Sequence, residues 1–262
     1  MNAHNANFQK PEKIVVKIKR QDKPDAAAYW QTFELPYKPN MNMTSVLQAI
    51  AAKPVTADGQ KTTPPTYDAA CLEEVCGSCT MLINGHVRQA CSALIDVILS
   101  QTPGTITVEP MTKFPLIRDL QVDRTRMFEN LKRIKGWIPI DGTYALGQGP
   151  KMPPATQEQS YDLSRCMTCG CCLEACPQFT LANAFVGAQV LSQVRYFNMH
   201  PTGKVDAGAR LEAVMGDGGI TDCGNAQNCV RVCPKEIPLV DSIGAIGRDA
   251  TVYGIKKFFA LK

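Results

Sequence analysis

The chain has 262 residues, of which 45% are hydrophobic and 20% charged, a globular composition with room for two domains and their cores. Its twelve cysteines are unusual. The sequence shows neither a secretory leader nor an apolar run of about 18 residues, so we expect reduced, metal-binding thiols and no membrane span. The formal net charge of +4 counts those cysteines as neutral, so metal-bound thiolates would make the protein slightly acidic, and we predict no nucleic-acid partner.

The first part of the chain is predicted to be a small sheet around one helix. Alternating apolar residues predict the strands, and Thr44 is predicted to cap the helix. Asn84-Gly85 between two short strands predicts a hairpin with a type I′ turn. The predicted strands cover 13–19, 32–35, 80–83, 86–89 and 105–109, and the helix covers 44–52. Strands around a single helix, next to a turn-rich cysteine loop, predict a β-grasp fold.

That loop has the spacing C-x4-C-x2-C, and a fourth cysteine follows the hairpin. The four residues are Cys71, Cys76, Cys79 and Cys91. This is the plant-type [2Fe-2S] pattern. Gly77 and Ser78 suit a loop whose amide hydrogens point at cluster sulfur, and such hydrogen bonds tune the reduction potential. A four-cysteine zinc site is the alternative, although zinc favours C-x2-C pairs over this run.

The second part of the chain is predicted to be mainly helical. Apolar residues, Phe128 among them, recur at helical spacing up to Gly136. The segment 136–154 is rich in Gly and Pro, and a loop of this length usually has a functional or partner-binding role. Further helices are predicted over 163–175, 185–197, 207–215 and 241–259. The predicted fold class is therefore α+β, with an N-terminal β-grasp plant-type ferredoxin domain over 1–115 and a mainly α-helical, bacterial-ferredoxin-like domain over 116–262.

Two further cysteine runs lie in this helical part. The run C-x2-C-x2-C-x3-C-P begins at Cys166, and by this spacing bacterial ferredoxins hold cubic iron–sulfur clusters. A second run begins at Cys223 and has Ala226 where its second cysteine would stand. In this pattern the fourth cysteine of each run binds the other run's cluster. The predicted ligands of a [4Fe-4S] cluster are therefore Cys166, Cys169, Cys172 and Cys233, and those of the downstream cluster are only Cys176, Cys223 and Cys229. Three thiolates favour a [3Fe-4S] cluster. Cys171 matches no slot and is predicted to be a small buried residue.

One plant-type site followed by two interleaved cubic sites, the second lacking one cysteine, resembles the iron–sulfur subunit of succinate dehydrogenase and fumarate reductase. The resemblance runs from about Lys13 onward and extends beyond the cysteines to 71–79, 114–120, 122–124 and 228–230. The stretches 137–144, 149–153 and 200–203 look like the Gram-positive-type branch. That branch is similar to menaquinone-linked enzymes with a dihaem membrane anchor.

The resemblance implies a role in the electron transport of a succinate:quinone oxidoreductase. A FAD-containing flavoprotein subunit would oxidise succinate. Electrons would then pass from the [2Fe-2S] to the [4Fe-4S] and [3Fe-4S] clusters, and on to a cytochrome b membrane anchor with menaquinone as the eventual acceptor. The subunit would lie peripherally at the cytoplasmic face of the bacterial cell membrane. The chain has no dinucleotide fingerprint or phosphate loop, so we expect it to perform no succinate chemistry itself.

The chain departs from ubiquinone-linked members, which usually carry tryptophans after the first cysteine–proline and a histidine after the next cysteine. Here those positions are Thr180, Leu181 and Gly224. This favours electron transfer to an anchor haem over a quinone pocket in this subunit. The histidines, His4, His86 and His200, have no ligand spacing and are predicted to be surface or local structural residues.

Three alternatives stay open at this point. The complex can run in reverse as a quinol:fumarate reductase. The chain can be the electron-transfer subunit of another flavoenzyme, although such subunits tend to carry two complete cysteine runs, which Ala226 interrupts here. A zinc-structured scaffold is the third alternative, and it predicts colourless protein where clusters predict brown protein.

Overall fold

The computed structural model describes residues 10–139 and 150–260, and it forms two compact units whose boundary falls between Asp123 and Arg124. The domain limits 1–115 and 116–262 stay predictions. Part of the predicted loop over 136–154 lies outside the described residues, as do His4 and part of the stretch 137–144.

The first unit contains a five-stranded mixed sheet. Its elements are β1 (Lys13–Arg20), β2 (Tyr29–Pro36), α1 (Met43–Ala52), β3 (Thr80–Ile83), β4 (His86–Gln89), α2 (Ile95–Gln101), β5 (Ile106–Glu109), β6 (Leu116–Arg118) and β7 (Gln121–Val122). The strand order is β2-β1-β5-β3-β4, with β1 parallel to β5 and the other neighbours antiparallel. The predicted strands and the β-grasp architecture are confirmed.

The sheet follows from two simple sequence patterns. Ile14, Val16 and Ile18 alternate along β1 and enter the same hydrophobic core as the buried residues of α1. The hairpin of β3 and β4 turns at Asn84 (φ 49°) and Gly85 (φ 74°), and positive φ at both central residues is what a type I′ turn requires. The hairpin brings Gln89 and Thr80 opposite each other in register.

The start of α1 differs from the prediction. Asn42, not Thr44, is the N-cap: its Oδ1 accepts the Ser45 amide hydrogen at 2.9 Å, and Ser45 Oγ accepts the Asn42 amide hydrogen at 3.0 Å. Thr44 is buried inside the helix, and within residues 10–139 and 150–260 its hydroxyl has no hydrogen-bond partner. Helix α2 and the β6–β7 ribbon were not predicted, because each is too short to show a clear hydrophobic period.

The second unit is helical. It contains α3 (Thr125–Arg133), α4 (Pro154–Ser164), α5 (Cys171–Glu174), α6 (Gly187–Met199), α7 (Ala207–Met215), α8 (Asn228–Arg231) and α9 (Leu239–Ala260), with 3-10 turns at Gly203–Asp206 and Ile220–Asp222. Helix α6 is the centre of the unit, since its first eight residues are buried and it packs against α4, α5, α7 and α9. Within residues 10–139 and 150–260, no helix has the length and apolarity to cross a membrane.

The helix predicted over 163–175 is wrong. Helix α4 ends at Ser164, and the next helical residues begin only at Cys171. Thr168 (φ 52°) and Gly170 (φ 88°) adopt left-handed backbone conformations between them, which breaks the helix. Phe128 was expected on the apolar face of α3 but is 52% exposed, while Met127 is fully buried. Cys171 is fully buried, as predicted.

Candidate cluster-binding sites

The loop between Cys71 and Cys79 is shaped by left-handed residues. Leu72, Glu74 and Gly77 have φ values of 61°, 55° and 72°. Two of the three are not glycine, so this backbone is unusual and is maintained by the contacts around it. The loop curls so that its amide hydrogens point at sulfur atoms instead of at carbonyls.

Cys71 receives most of these hydrogen bonds. Its Sγ accepts the amide hydrogens of Glu73 at 3.4 Å, Val75 at 3.3 Å and Cys76 at 3.3 Å. Cys76 Sγ accepts those of Cys71 and Ser78, both at 3.5 Å. Donors arranged in this way stabilise thiolates and so fit a group that is ligated by sulfur.

The other two cysteines of this site are more deeply buried. Burial and a hydrogen bond from the Cys91 thiol to Cys79 raise the pKa of Cys91 to about 11, although Cys91 Sγ accepts the Glu74 amide hydrogen at 3.3 Å. Burial opposes ionisation of Cys76 as well, but hydrogen bonds from Ser78 and Cys71 outweigh it and lower the pKa of Cys76 to about 6. The four predicted [2Fe-2S] ligands therefore lie together: Cys71 and Cys76 are half-buried and accept several amide hydrogens, and Cys79 and Cys91 are buried. This all-sulfur donor set fits the group.

A buried polar network that sequence reasoning missed lies behind Cys79. Gln89 is 1% exposed, and its Oε1 lies 3.6 Å from Cys79 Sγ. Gln89 Nε2 donates to Thr80 Oγ1 at 2.7 Å, and Thr80 Oγ1 donates to the Gly77 carbonyl at 2.8 Å. The two strands of the hairpin thus fix the loop that carries the cysteines. Only the strand register shows that these residues meet.

The seven cysteines predicted for the cubic clusters surround two cavities in the second unit. Cys166, Cys169, Cys172 and Cys233 line one small cavity, together with Cys171 and Gln189. Cys176, Cys223 and Cys229 line a second small cavity, together with Ala226. Each run's last cysteine lies in the cavity of the other run. The structure therefore brings the residues together in the interleaved sets that the sequence predicts.

The two runs have the same backbone conformation. Helix α5 begins one residue before Cys172, and α8 begins one residue before Cys229. Thr168 and Gly170 have left-handed φ values, and so do Asn225 (φ 52°) and Gln227 (φ 60°), at the same offsets from their runs. This repeat places Ala226 at the position that Cys169 occupies in the first run. The backbone repeat and the sequence spacing therefore agree that the downstream run lacks a cysteine at its second ligand position.

The thiols of the upstream cavity differ in how readily they ionise. Burial raises the pKa of Cys166 to about 11 and that of Cys172 well above its usual value. The Cys171 side chain donates a hydrogen bond to Cys169 and, with the Cys171 amide and the positive charge of Arg124, lowers the pKa of Cys169 to about 7 despite burial. Buried thiols of raised pKa ionise when a cation neutralises them, which fits ligands of cluster iron.

The cysteines form no site for a single metal ion within the described residues. Among residues 10–139 and 150–260, no three His, Cys, Asp or Glu side chains are arranged to hold one metal ion. The cysteines instead surround cavities. His200 Nδ1 accepts the amide hydrogens of Thr202 and Gly203, both at 3.2 Å, which confirms its local structural role. His86 is exposed on β4.

Comparison with known proteins also indicates an iron–sulfur protein. Residues 15–129 match the model of a 2Fe-2S iron–sulfur cluster binding domain, and residues 162–237 match that of a 4Fe-4S dicluster domain. The chain is 54% identical to the succinate dehydrogenase iron–sulfur subunit of Bacillus subtilis over 92% of this chain and 94% of that one. It is 29% identical to the fumarate reductase iron–sulfur subunit of Wolinella succinogenes over 90% and 96% of the two chains.

A solved structure has the same fold. A chain of the Mycobacterium smegmatis Sdh1 complex in the apo form matches with a TM-score of 0.75 and 21% identity, covering 91% of this chain and 95% of that one. An N-terminal sheet domain and a helical domain, each with its cysteine sites, define an iron–sulfur electron-transfer subunit. The chain belongs to the family of succinate dehydrogenase and fumarate reductase iron–sulfur subunits. Its cofactors are a [2Fe-2S], a [4Fe-4S] and a [3Fe-4S] cluster.

Proposed function

We propose that this chain transfers electrons within a succinate:quinone oxidoreductase, from a FAD-containing flavoprotein subunit to a cytochrome b membrane anchor with two haems, with menaquinone as the eventual acceptor. The proposal rests on one observation. Cys176, Cys223, Cys229 and Ala226 line the downstream cavity, and apart from Ala226 the run that begins at Cys223 repeats the four-cysteine run upstream. The names of the relatives, succinate dehydrogenase and fumarate reductase iron–sulfur subunits, support the partner classes.

The proposed ligands of each cluster are the cysteines that line one cavity or lie in and beside the 71–79 loop. The [2Fe-2S] cluster takes Cys71, Cys76, Cys79 and Cys91; the [4Fe-4S] cluster takes Cys166, Cys169, Cys172 and Cys233; the [3Fe-4S] cluster takes Cys176, Cys223 and Cys229. When bound, these clusters supply one-electron carriers. The chain itself supplies the thiolates, the amide hydrogens that stabilise them and the buried surroundings that exclude water.

The segment after Cys176 supports an electron acceptor outside this subunit. Arg126 donates hydrogen bonds to the carbonyls of Thr180 (2.6 Å), Asn183 (2.7 Å) and Phe185 (2.9 Å), so the backbone of this segment is held firmly. Leu181 is 59% exposed. With Thr180 and Leu181 here in place of tryptophans, an anchor haem is the proposed acceptor, and the subunit lies peripherally at the cytoplasmic face of the membrane.

Electron paramagnetic resonance of the purified complex tests the proposal. We expect a nearly isotropic three-iron signal in the oxidised sample, which vanishes on dithionite reduction as a [2Fe-2S] signal appears. Two reduced cubic clusters without a three-iron signal would instead indicate another flavoenzyme. Colourless protein with bound zinc and no acid-labile sulfide would indicate a zinc scaffold.

The direction of catalysis needs a separate assay. The relatives include both succinate dehydrogenase and fumarate reductase subunits. Rates of succinate oxidation with a menaquinone analogue and of fumarate reduction with its quinol, measured on the same preparation, would distinguish the two directions. We expect succinate oxidation to be the physiological direction, because the 54% identical relative is a succinate dehydrogenase subunit.

A further inference from the structure

We propose that the Glu74 carboxylate and the Ser92 hydroxyl form a positioning clamp that holds the Glu74 amide hydrogen on the Cys91 sulfur and thereby raises the reduction potential of the [2Fe-2S] cluster. The inference rests on the proposed function, because it concerns the cluster that Cys91 would bind. It assigns a role to two residues that are not cluster ligands and that lie on either side of the β3–β4 hairpin in sequence.

The Glu74 backbone makes the contact with the ligand sulfur. Glu74 has a φ of 55°, and its amide donates to Cys91 Sγ at 3.3 Å. The neighbouring amides of Glu73 and Val75 donate to Cys71 Sγ instead, so Glu74 links the cysteine loop to the cysteine that follows the hairpin. A left-handed backbone is strained for any residue with a Cβ, and this conformation therefore needs a contact that maintains it.

The Glu74 side chain supplies that contact. Its Oε1 accepts a hydrogen bond from Ser92 Oγ. Hydrogen bonds to an ionised carboxylate are stronger than those between neutral groups. Ser92 Oγ also lies 3.4 Å from the Gln89 carbonyl, which is the acceptor that remains for the hydroxyl when the carboxylate is removed. Glu74 is thus attached at both ends to consecutive residues, by its amide to Cys91 and by its carboxylate to Ser92.

The segment that contains Ser92 is itself anchored in the core of the first unit. The Ala90 amide donates to the Cys79 carbonyl at 3.0 Å, and the Ala93 carbonyl accepts the Met43 amide hydrogen at 3.0 Å. Ala90 and Ala93 are both fully buried. Ser92 therefore gives the more exposed cysteine loop a fixed point of attachment.

The two ends of Glu74 act on the reduction equilibrium in opposite directions. An added electron makes the cluster and its thiolates more negative, and an amide hydrogen bond to sulfur stabilises this form more strongly, which raises the potential. The carboxylate charge opposes the added electron. Arg88 partly compensates that charge: burial lowers the pKa of the half-buried Arg88, and the negative charge of Glu74 opposes this shift. Charge and hydrogen bond can therefore be separated by substitution.

Redox titrations of the purified complex, followed by electron paramagnetic resonance of the reduced [2Fe-2S] cluster, test the clamp. Ser92→Ala removes the hydroxyl and keeps every charge. It is expected to shift the reduction equilibrium about threefold to tenfold toward the oxidised form, which is about 28–59 mV for one electron. Ser92→Thr keeps the hydroxyl and should retain the parent potential.

Two substitutions at Glu74 separate its charge from its hydrogen bond. Glu74→Gln and Glu74→Ala both remove the negative charge, but only Glu74→Gln keeps an oxygen that can accept the Ser92 hydrogen. Glu74→Ala should therefore lie about threefold to tenfold further toward the oxidised form than Glu74→Gln. In the Glu74→Ala background, Ser92→Ala should have no additional effect, because the two side chains act as a pair.

Ser100→Ala is the matched control. Ser100 is half-buried in α2 of the same unit, and its hydroxyl donates to the Val97 carbonyl at 2.9 Å. This variant should leave the [2Fe-2S] potential unchanged, and none of the variants should shift the [3Fe-4S] potential.

Equal potentials in Glu74→Gln and Glu74→Ala with full iron content would overturn the proposal, even if Ser92→Ala fails to assemble its cluster. A Ser92→Ala shift of undiminished size in the Glu74→Ala background, or an equal shift in Ser100→Ala, would overturn it as well. Failure of the proposed function is distinguishable, because it appears in the parent complex as a missing three-iron or [2Fe-2S] signal and not as a difference between variants.

Discussion

Ala226→Cys tests the central inference about the downstream site. Ala226 is exposed and is flanked by the left-handed Asn225 and Gln227, as Cys169 is flanked by Thr168 and Gly170. A cysteine there would present its sulfur to the cavity as Cys169 does upstream. Because the side chain is exposed and Ala226 itself does not have a positive φ, the free energy of unfolding should change by no more than about 0.5 kcal/mol.

Ala226→Cys is expected to raise the iron content by one atom per chain. The proposed cluster set contains about nine irons and about ten acid-labile sulfides per chain, and a fourth thiolate downstream would raise iron to about ten while sulfide stays constant. The three-iron signal of the oxidised complex should disappear, because an oxidised [4Fe-4S] cluster has no unpaired spin. Iron and sulfide analysis together with low-temperature electron paramagnetic resonance measure both effects.

Ala226→Ser is the control, since a serine adds a polar atom of similar size without a thiolate, and it should keep the three-iron signal. An unchanged three-iron spectrum with about nine irons in Ala226→Cys would refute the alignment of the two runs. Loss of the signal without a gain of iron would show that the cysteine disrupts the site and does not complete it.

Four further substitutions, the last of them paired with a control, probe the rest of the chain. Cys233→Ser should abolish the [4Fe-4S] signal and spare the [3Fe-4S] signal, although Cys233 follows the downstream run; the reverse pattern in the spectrum would contradict the interleaved ligands. Gln89→Leu removes the amide oxygen that faces Cys79 Sγ at 3.6 Å. Because the partial negative charge of that oxygen opposes an added electron, only the [2Fe-2S] reduction equilibrium should shift, about threefold to tenfold toward the reduced form, in a redox titration. Arg20 Nε lies 2.9 Å from Asp119 Oδ1, and both side chains are buried, so Asp119→Ala leaves the Arg20 guanidinium without its ion-pair partner. The substitution should destabilise the protein by about 3–5 kcal/mol, measured as a lower urea midpoint. A loss below about 1 kcal/mol would show that the ion pair contributes little to stability. Asn42→Ala removes the cap of α1 and should cost about 1 kcal/mol in the same assay. Thr44→Val should cost less, because the Thr44 hydroxyl has no hydrogen-bond partner in the described part of the chain.

Local patterns predicted much of the first unit. The alternation in β1 and the Asn84-Gly85 turn each depend on a few neighbouring residues, and the structure confirms both. The prediction over 163–175 was wrong because helical propensity there competes with the requirement that Cys166 and Cys169 turn toward a common cavity. Left-handed conformations at Thr168 and Gly170 meet that requirement, and a threonine gives no local signal for it.

Cysteine spacing alone predicted the number and type of cluster sites, because spacing is limited by how far a few residues of backbone can reach around a cluster. It also marked Ala226 as the position without a thiol. The tertiary structure decided what surrounds those sulfurs. Gln89 reaches Cys79 through the register of β3 and β4, and Gln189 in helix α6 reaches Thr168, which lies 21 residues earlier in the loop between α4 and α5. Such contacts follow from packing between distant segments, and no local period in the sequence encodes them.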